Sequence, residues 1–194
     1  MKIPLQYQIS EYDCATFALS NALSFLYDRE EIPHQIVKII YGKTLDGYDG
    51  KIEHAGLGTS RHAIQAVTSL INKYSKTNNF DLSLDYYQKN DVTFELIKDC
   101  VSNGGIVLLR TMEVYEHYIL ITKIEKDNVY AFDSYYLDSL GEEDQAVVTI
   151  INDQPFQYNR LIKASRLNST TDENYALRPI KEREIVCFYR SSGK

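Results

Sequence analysis

The sequence predicts an α+β fold in which N-terminal helices pack on a mainly antiparallel β-sheet, and three observations carry that expectation. Apolar residues at helical spacing dominate the first half; alternating or continuous short apolar runs dominate the second; and the clearest two of those runs flank a short polar turn, the antiparallel connection. With 194 residues, 25% of them charged and 44% hydrophobic, the chain fits one domain, 1–194, that buries its core without disulfides or a structural metal. No repeat or boundary divides it.

Each element follows from local chemistry. Ala15, Ala18, Leu19, Ala22, Leu23 and Leu26 form a stripe after Asp13, so a helix capped by Asp13 and running to about Tyr27 is expected. A short helix over residues 32–42 has Pro33 near its start and Gly42 at its end. Between positions 42 and 58 lies a loop with five glycines. Thr59 or Ser60 then caps a helix from Arg61 to about Tyr74. Residues 80–87 alternate as a strand, 94–102 read as a helix closed by Gly104 and Gly105, and 106–109 as a buried strand. The hairpin joins residues 117–124 to 129–133 through a turn at 125–128. Residues 145–151 and 183–189 read as strands around a polar loop at 168–173, so 137–194 should complete the same sheet or cover its edge.

Composition excludes several functions. A net charge of −6 with no dense Lys/Arg run argues against nucleic acid or an anionic membrane as partner, while a basic peptide stays compatible. No signal-peptide core is present, and no stretch approaches the roughly 20 apolar residues of a transmembrane helix. Three scattered cysteines fit a reducing compartment, so a soluble cytoplasmic protein is expected. Without Cys-x-x-Cys or His-x-x-x-His, neither metal nor cofactor is expected. Cys100 and Cys187 read as small buried hydrophobes. The sixteen tyrosines include the pairs Tyr86-Tyr87 and Tyr135-Tyr136, which suit either half-wet strands or a peptide groove. Oligomeric state is left open.

Four residues suggest chemistry. Gln8 stands six positions before Cys14, and His117 sixteen before Asp133. Cys14 falls in a helix's first turn, where free N–H groups and the helix dipole favour a thiolate. His117 and Asp133 fall at the open end of the hairpin. The turn sets Asp133 roughly opposite Ile121, so the pair must meet diagonally or through a bulge. In that arrangement Cys14 attacks a carbonyl, His117 moves the proton, Asp133 orients the ring, and Gln8 with the Cys14 N–H binds the oxyanion.

The pattern Gln-x5-Cys with Asp13 before the Cys, then His117-Tyr118-Ile119-Leu120-Ile121 and Tyr130-Ala131-Phe132-Asp133, resembles the bacteriocin-leader-processing (double-glycine) cysteine peptidases of the papain-like superfamily. Gly58-Thr59-Ser60 opening a helix is similar as well. That family usually has Gly where this chain has Ala15. The resemblance spans about residues 4–136 and implies a papain-like fold with a Cys14–His117–Asp133 triad, Gln8 as oxyanion donor, and cleavage of a peptide or acyl-bearing substrate through a thioester. Two alternatives stand beside the peptidase: an acyltransferase using the same site, and a catalytically silent peptide-binding module. Singly, Cys14 reads as structural, His117 as a surface histidine and Asp133 as a strand terminator. His34, His54 and His62 read as solvent-facing or locally hydrogen-bonding residues.

Overall fold

The computed structural model describes residues 1–47, 58–113 and 115–191. Seven strands form one antiparallel sheet in the order β1-β7-β2-β3-β4-β6-β5. They are β1 (Leu82–Gln88), β2 (Ile106–Met112), β3 (Glu116–Glu125), β4 (Asn128–Asp133), β5 (Val148–Ile150), β6 (Arg160–Lys163) and β7 (Glu184–Arg190). Helices α1 (Cys14–Leu26), α2 (His34–Lys43) and α3 (Arg61–Asn78) precede the first strand. Helix α4 (Phe94–Ser102) leads into β2, while α5 (Glu142–Gln145) and α6 (Ala164–Leu167) are single turns. The mixed α+β class, with N-terminal helices on an antiparallel sheet, is therefore as the sequence predicts; the narrower papain-like expectation rested on the resemblance.

Two cores sit on the two faces of the sheet. On one, Leu19 and Leu23 of α1, Ile36 of α2 and Ile64 and Ile71 of α3 pack on Leu108, Leu120, Phe132 and Val186. Small residues bring α1 close to the strands: Ala15, Ala18 and Ala22 are fully buried or nearly so. On the other, Ile97 and Cys100 of α4, with Leu167, Tyr175 and Leu177, cover Leu109, Ile119, Ala131 and Cys187. The strand read over residues 183–189 is β7, which lies inside the sheet between β1 and β2 with Ile185 to Phe188 buried. Residues from the chain's end thus complete the sheet begun near its middle.

Element ends differ from expectation where polar chemistry extends or interrupts a pattern. Helix α3 outruns its apolar stripe by four residues and stops where Asn79 adopts left-handed geometry, with φ of 51°. Its N-cap is Ser60, whose hydroxyl accepts the Ala63 N–H at 3.1 Å. Arg61 beside it ties α3 to Glu182 at 2.9 Å. Gly47 and Gly58 close the base of the glycine-rich loop with a 3.0 Å N–H to carbonyl bond, and Gly58 needs its φ of +64°. The loop's remaining residues, with Gly50, Gly56 and His54, lie outside the described residues.

Gly105 closes α4 for a packing reason. A Cβ there would stand 2.8 Å from Cys100 Sγ and from a Tyr189 ring carbon, and 2.9 Å from the Cys100 carbonyl. Gly105→Ala is expected to cost about 1–3 kcal/mol by overpacking, read as a lower urea midpoint. An unchanged midpoint would show that Tyr189 yields.

Candidate functional site

A single extra residue in β3 builds the site. From the two-residue turn upward, Glu125 pairs with Asn128, Ile124 with Val129 and Lys123 with Tyr130. The register then shifts, so that Ile121 pairs with Ala131 and Ile119 with Asp133. Continued unbroken, the ladder would set Asp133 opposite Leu120, on the other face. The bulge at Thr122 turns it onto the face that carries Ile119 and His117. Bulge and diagonal together bring His117 Nε2 to 2.7 Å from Asp133 Oδ1.

Asp133 is fully buried and His117 nearly so. Burial alone would depress the imidazole, but the Asp133 charge and hydrogen bond, with Cys14 adding to them, hold its pKa well above the ordinary 6.5. Burial likewise opposes the Asp133 carboxylate, and the charge and hydrogen bond of His117, then Arg160 and the Tyr135 N–H, keep it below its usual range. The pair is thus held as imidazolium and carboxylate. Asp133 Oδ1 also accepts the Tyr135 N–H at 2.8 Å, and Oδ2 accepts the Tyr175 hydroxyl at 2.9 Å.

Glu113, just past the end of β2, completes the cluster. Its Oε2 lies 4.0 Å from His117 Nε2. Burial, with the Asp133 charge behind it, pushes its carboxyl up to about 7. Among the described residues, donor atoms of Glu113, His117 and Asp133 all lie within 4.8 Å of one another, and no cysteine belongs to that cluster. This overturns the Cys14–His117–Asp133 triad. A cluster made of one imidazole and two carboxylates does not carry a thioester mechanism, and the cysteine peptidase and acyltransferase readings fall with it. The resemblance to the leader-processing peptidases is corrected on the same ground. Three such donors could surround a cation in principle, but His117 Nε2 and Asp133 Oδ1 are bonded to each other and Asp133 Oδ2 is taken by Tyr175. His117 Nε2 and both Asp133 oxygens are thus already partnered by protein groups.

Of the remaining two expected residues, Cys14 borders the His117 ring and Gln8 is anchored to Ser134, the residue after Asp133. Cys14 is buried as the first residue of α1. Asp13 occupies the N-cap position, but its side chain makes no cap bond; it accepts the Ser10 N–H at 3.1 Å and shapes the preceding loop. Gln8 pins that loop to the end of β4. Its backbone N–H donates to the Ser134 carbonyl at 2.9 Å, its Oε1 accepts the Ser134 hydroxyl at 2.9 Å, and its Nε2 donates to the Ser10 carbonyl at 2.8 Å. Gln8, Ile9, Ser10 and Glu11 face Tyr135 and Tyr136 across an open groove. Of the two tyrosine pairs, Tyr135-Tyr136 lines a groove and Tyr86-Tyr87 sits half-buried in β1. His34 and His62 are exposed.

Sequence reasoning missed Glu113, Asn159, Arg160 and Tyr175. Glu113 stands in no motif. Arg160 is almost fully buried in a four-residue strand, too short for a period and broken by its own charge. The only signal for Tyr175 is that Tyr175-Ala176-Leu177 is a small apolar run just after a polar loop. Compared with known proteins, the chain matches no family model, and no curated protein is significantly similar to it.

Proposed function

We propose that the chain is an acid–base hydrolase that acts on a peptide or acyl-bearing substrate held in the groove between residues 8–11 and 135–136, without a covalent enzyme intermediate. The observation that carries this reading is a buried His117–Asp133 pair at 2.7 Å with a third carboxyl, Glu113, at 4.0 Å whose pKa lies near neutrality. Environments that separate the pKa values of neighbouring groups assign their roles. Glu113 as carboxylate takes a proton from water, the resulting hydroxide adds to the acyl carbon, and the His117 imidazolium protonates the leaving atom. Asp133 holds the ring, and one bridging water can return the proton from Glu113 to His117. Gln8 supports the groove wall and has a second amide hydrogen for a substrate oxygen. Cys14 borders the ring as part of the site's wall. Three free cysteines suit a cytoplasmic setting, and no described helix is long and apolar enough to cross a membrane.

The test is turnover on a panel of 4-nitrophenyl esters and peptide anilides. His117→Ala and Glu113→Gln should each lose about a hundredfold or more, while Cys14→Ala keeps turnover within about threefold. A folded Cys14→Ala chain that loses all turnover would overturn the mechanism and restore a thiol nucleophile.

A further inference from the structure

The part of the chain past β4 does more than extend the sheet. Asn159 grips Asp133 through its backbone: its Oδ1 accepts the Asp133 N–H at 2.8 Å and its Nδ2 donates to the Asp133 carbonyl at 2.7 Å. Arg160 donates through Nε to the Tyr175 hydroxyl at 3.2 Å and through Nη2 to the Tyr135 carbonyl at 3.0 Å. Tyr175 passes its own hydroxyl hydrogen to Asp133 Oδ2. The same segment holds the end of β2, just before Glu113. There the Tyr175 N–H donates to the Met112 carbonyl at 3.2 Å and the Thr111 hydroxyl to the Ala176 carbonyl at 2.9 Å.

Tyr175 keeps this place at a conformational cost. Its φ is +62°, a region that a bulky aromatic residue seldom occupies, and its side chain is only 1% exposed. A residue with no demand on its hydroxyl could relax; this one is held by hydrogen bonds at both its backbone and its phenol. Each Asp133 oxygen therefore has a fixed donor, which leaves the carboxylate one rotation about its side chain. That rotation aims Oδ1 at His117.

We propose that Asn159, Arg160 and Tyr175 form a clamp, and that Tyr175 is the positioning residue that sets the Asp133 carboxylate against His117. The proposal rests on the proton-transfer reading of that pair. The hydroxyl hydrogen at Oδ2 also offsets part of the Asp133 charge, so its removal should strengthen the hold of Asp133 on the imidazolium.

The experiment is a pH titration of the His117 ring nitrogens by NMR in the parent chain and in Tyr175→Phe, alongside turnover on the ester panel. Tyr175→Phe should fold, raise the His117 midpoint by about half a pH unit or more, and lower kcat about tenfold with little change in KM. A midpoint equal to the parent's would overturn the clamp. If Tyr175→Phe does not fold, Arg160→Lys takes its place, because it removes the Nε donor behind the phenol; a smaller upward shift supports the clamp and none overturns it. A parent chain inactive on every ester and anilide, with the midpoint shift present, sinks the hydrolase reading and leaves the clamp standing.

Discussion

Asp133→Asn is expected to lower turnover by about 10³- to 10⁴-fold while leaving the chain folded, because it removes the charge that holds the imidazole and can present an N–H where acceptors are needed. In the parent, both carboxylate oxygens receive donors and one of them meets His117 Nε2 at 2.7 Å. An amide at that place can serve the Tyr135 N–H and the Tyr175 hydroxyl with its single oxygen only in part. The ring then loses its orientation and its raised pKa together. Circular dichroism with steady-state rates on the ester panel checks this, and a folded Asp133→Asn chain with parental turnover would show that the carboxylate is structural.

The second large effect is on stability. Glu113 has a folded pKa of about 7 against an ordinary 4.5, so between those values the folded chain binds a proton that the unfolded chain releases. Stability therefore falls as pH rises through that window, by about 3 kcal/mol across it. His117 contributes in the same direction, since its raised pKa gives stability that is full below 6.5 and lost as pH climbs through the folded value. Asp133 works at the other end: its lowered pKa gives stability that is present above 3.8 and lost as pH drops through the folded value. A mildly acidic optimum follows. Glu113→Gln should remove most of the Glu113 component and make the chain about 3 kcal/mol more stable relative to parent at pH 8 than at pH 4.5. Urea unfolding at both values measures it; an equal difference at the two would mean that Glu113 ionises like a free carboxyl.

The opposed signs of stability and function at Glu113 have one cause. Burying a carboxyl beside Asp133 costs folding free energy at neutral pH, and the same burial places its pKa where a base can work. A chain selected for stability alone would have no use for it.

How much of this was legible in the sequence depends on the range of the signal. Helices α1, α3 and α4 and the β3–β4 hairpin follow from residues within one window, and the structure has them at close to the expected bounds. His117 and Asp133 could be paired because one short turn joins their strands. Whether they shared a face depended on Thr122, and nothing in the alternation around it marks a bulge. The clamp was out of reach, since Asn159, Arg160 and Tyr175 approach Asp133 across 26 to 42 residues of chain. Cys14 misled for the opposite reason: its helix start was read correctly and it borders the His117 ring, but the cluster around the ring is completed by a carboxyl, and Glu113 belongs to no motif that could have announced it.

The most direct measurement is the ¹⁵N NMR titration of His117 in the parent chain. A ring fully charged at pH 7, with a midpoint well above 6.5 and its Nε2 proton protected from exchange by Asp133, is the expected result. A neutral ring at pH 7, or a midpoint at or below 6.5, would contradict an acid–base site built on this pair.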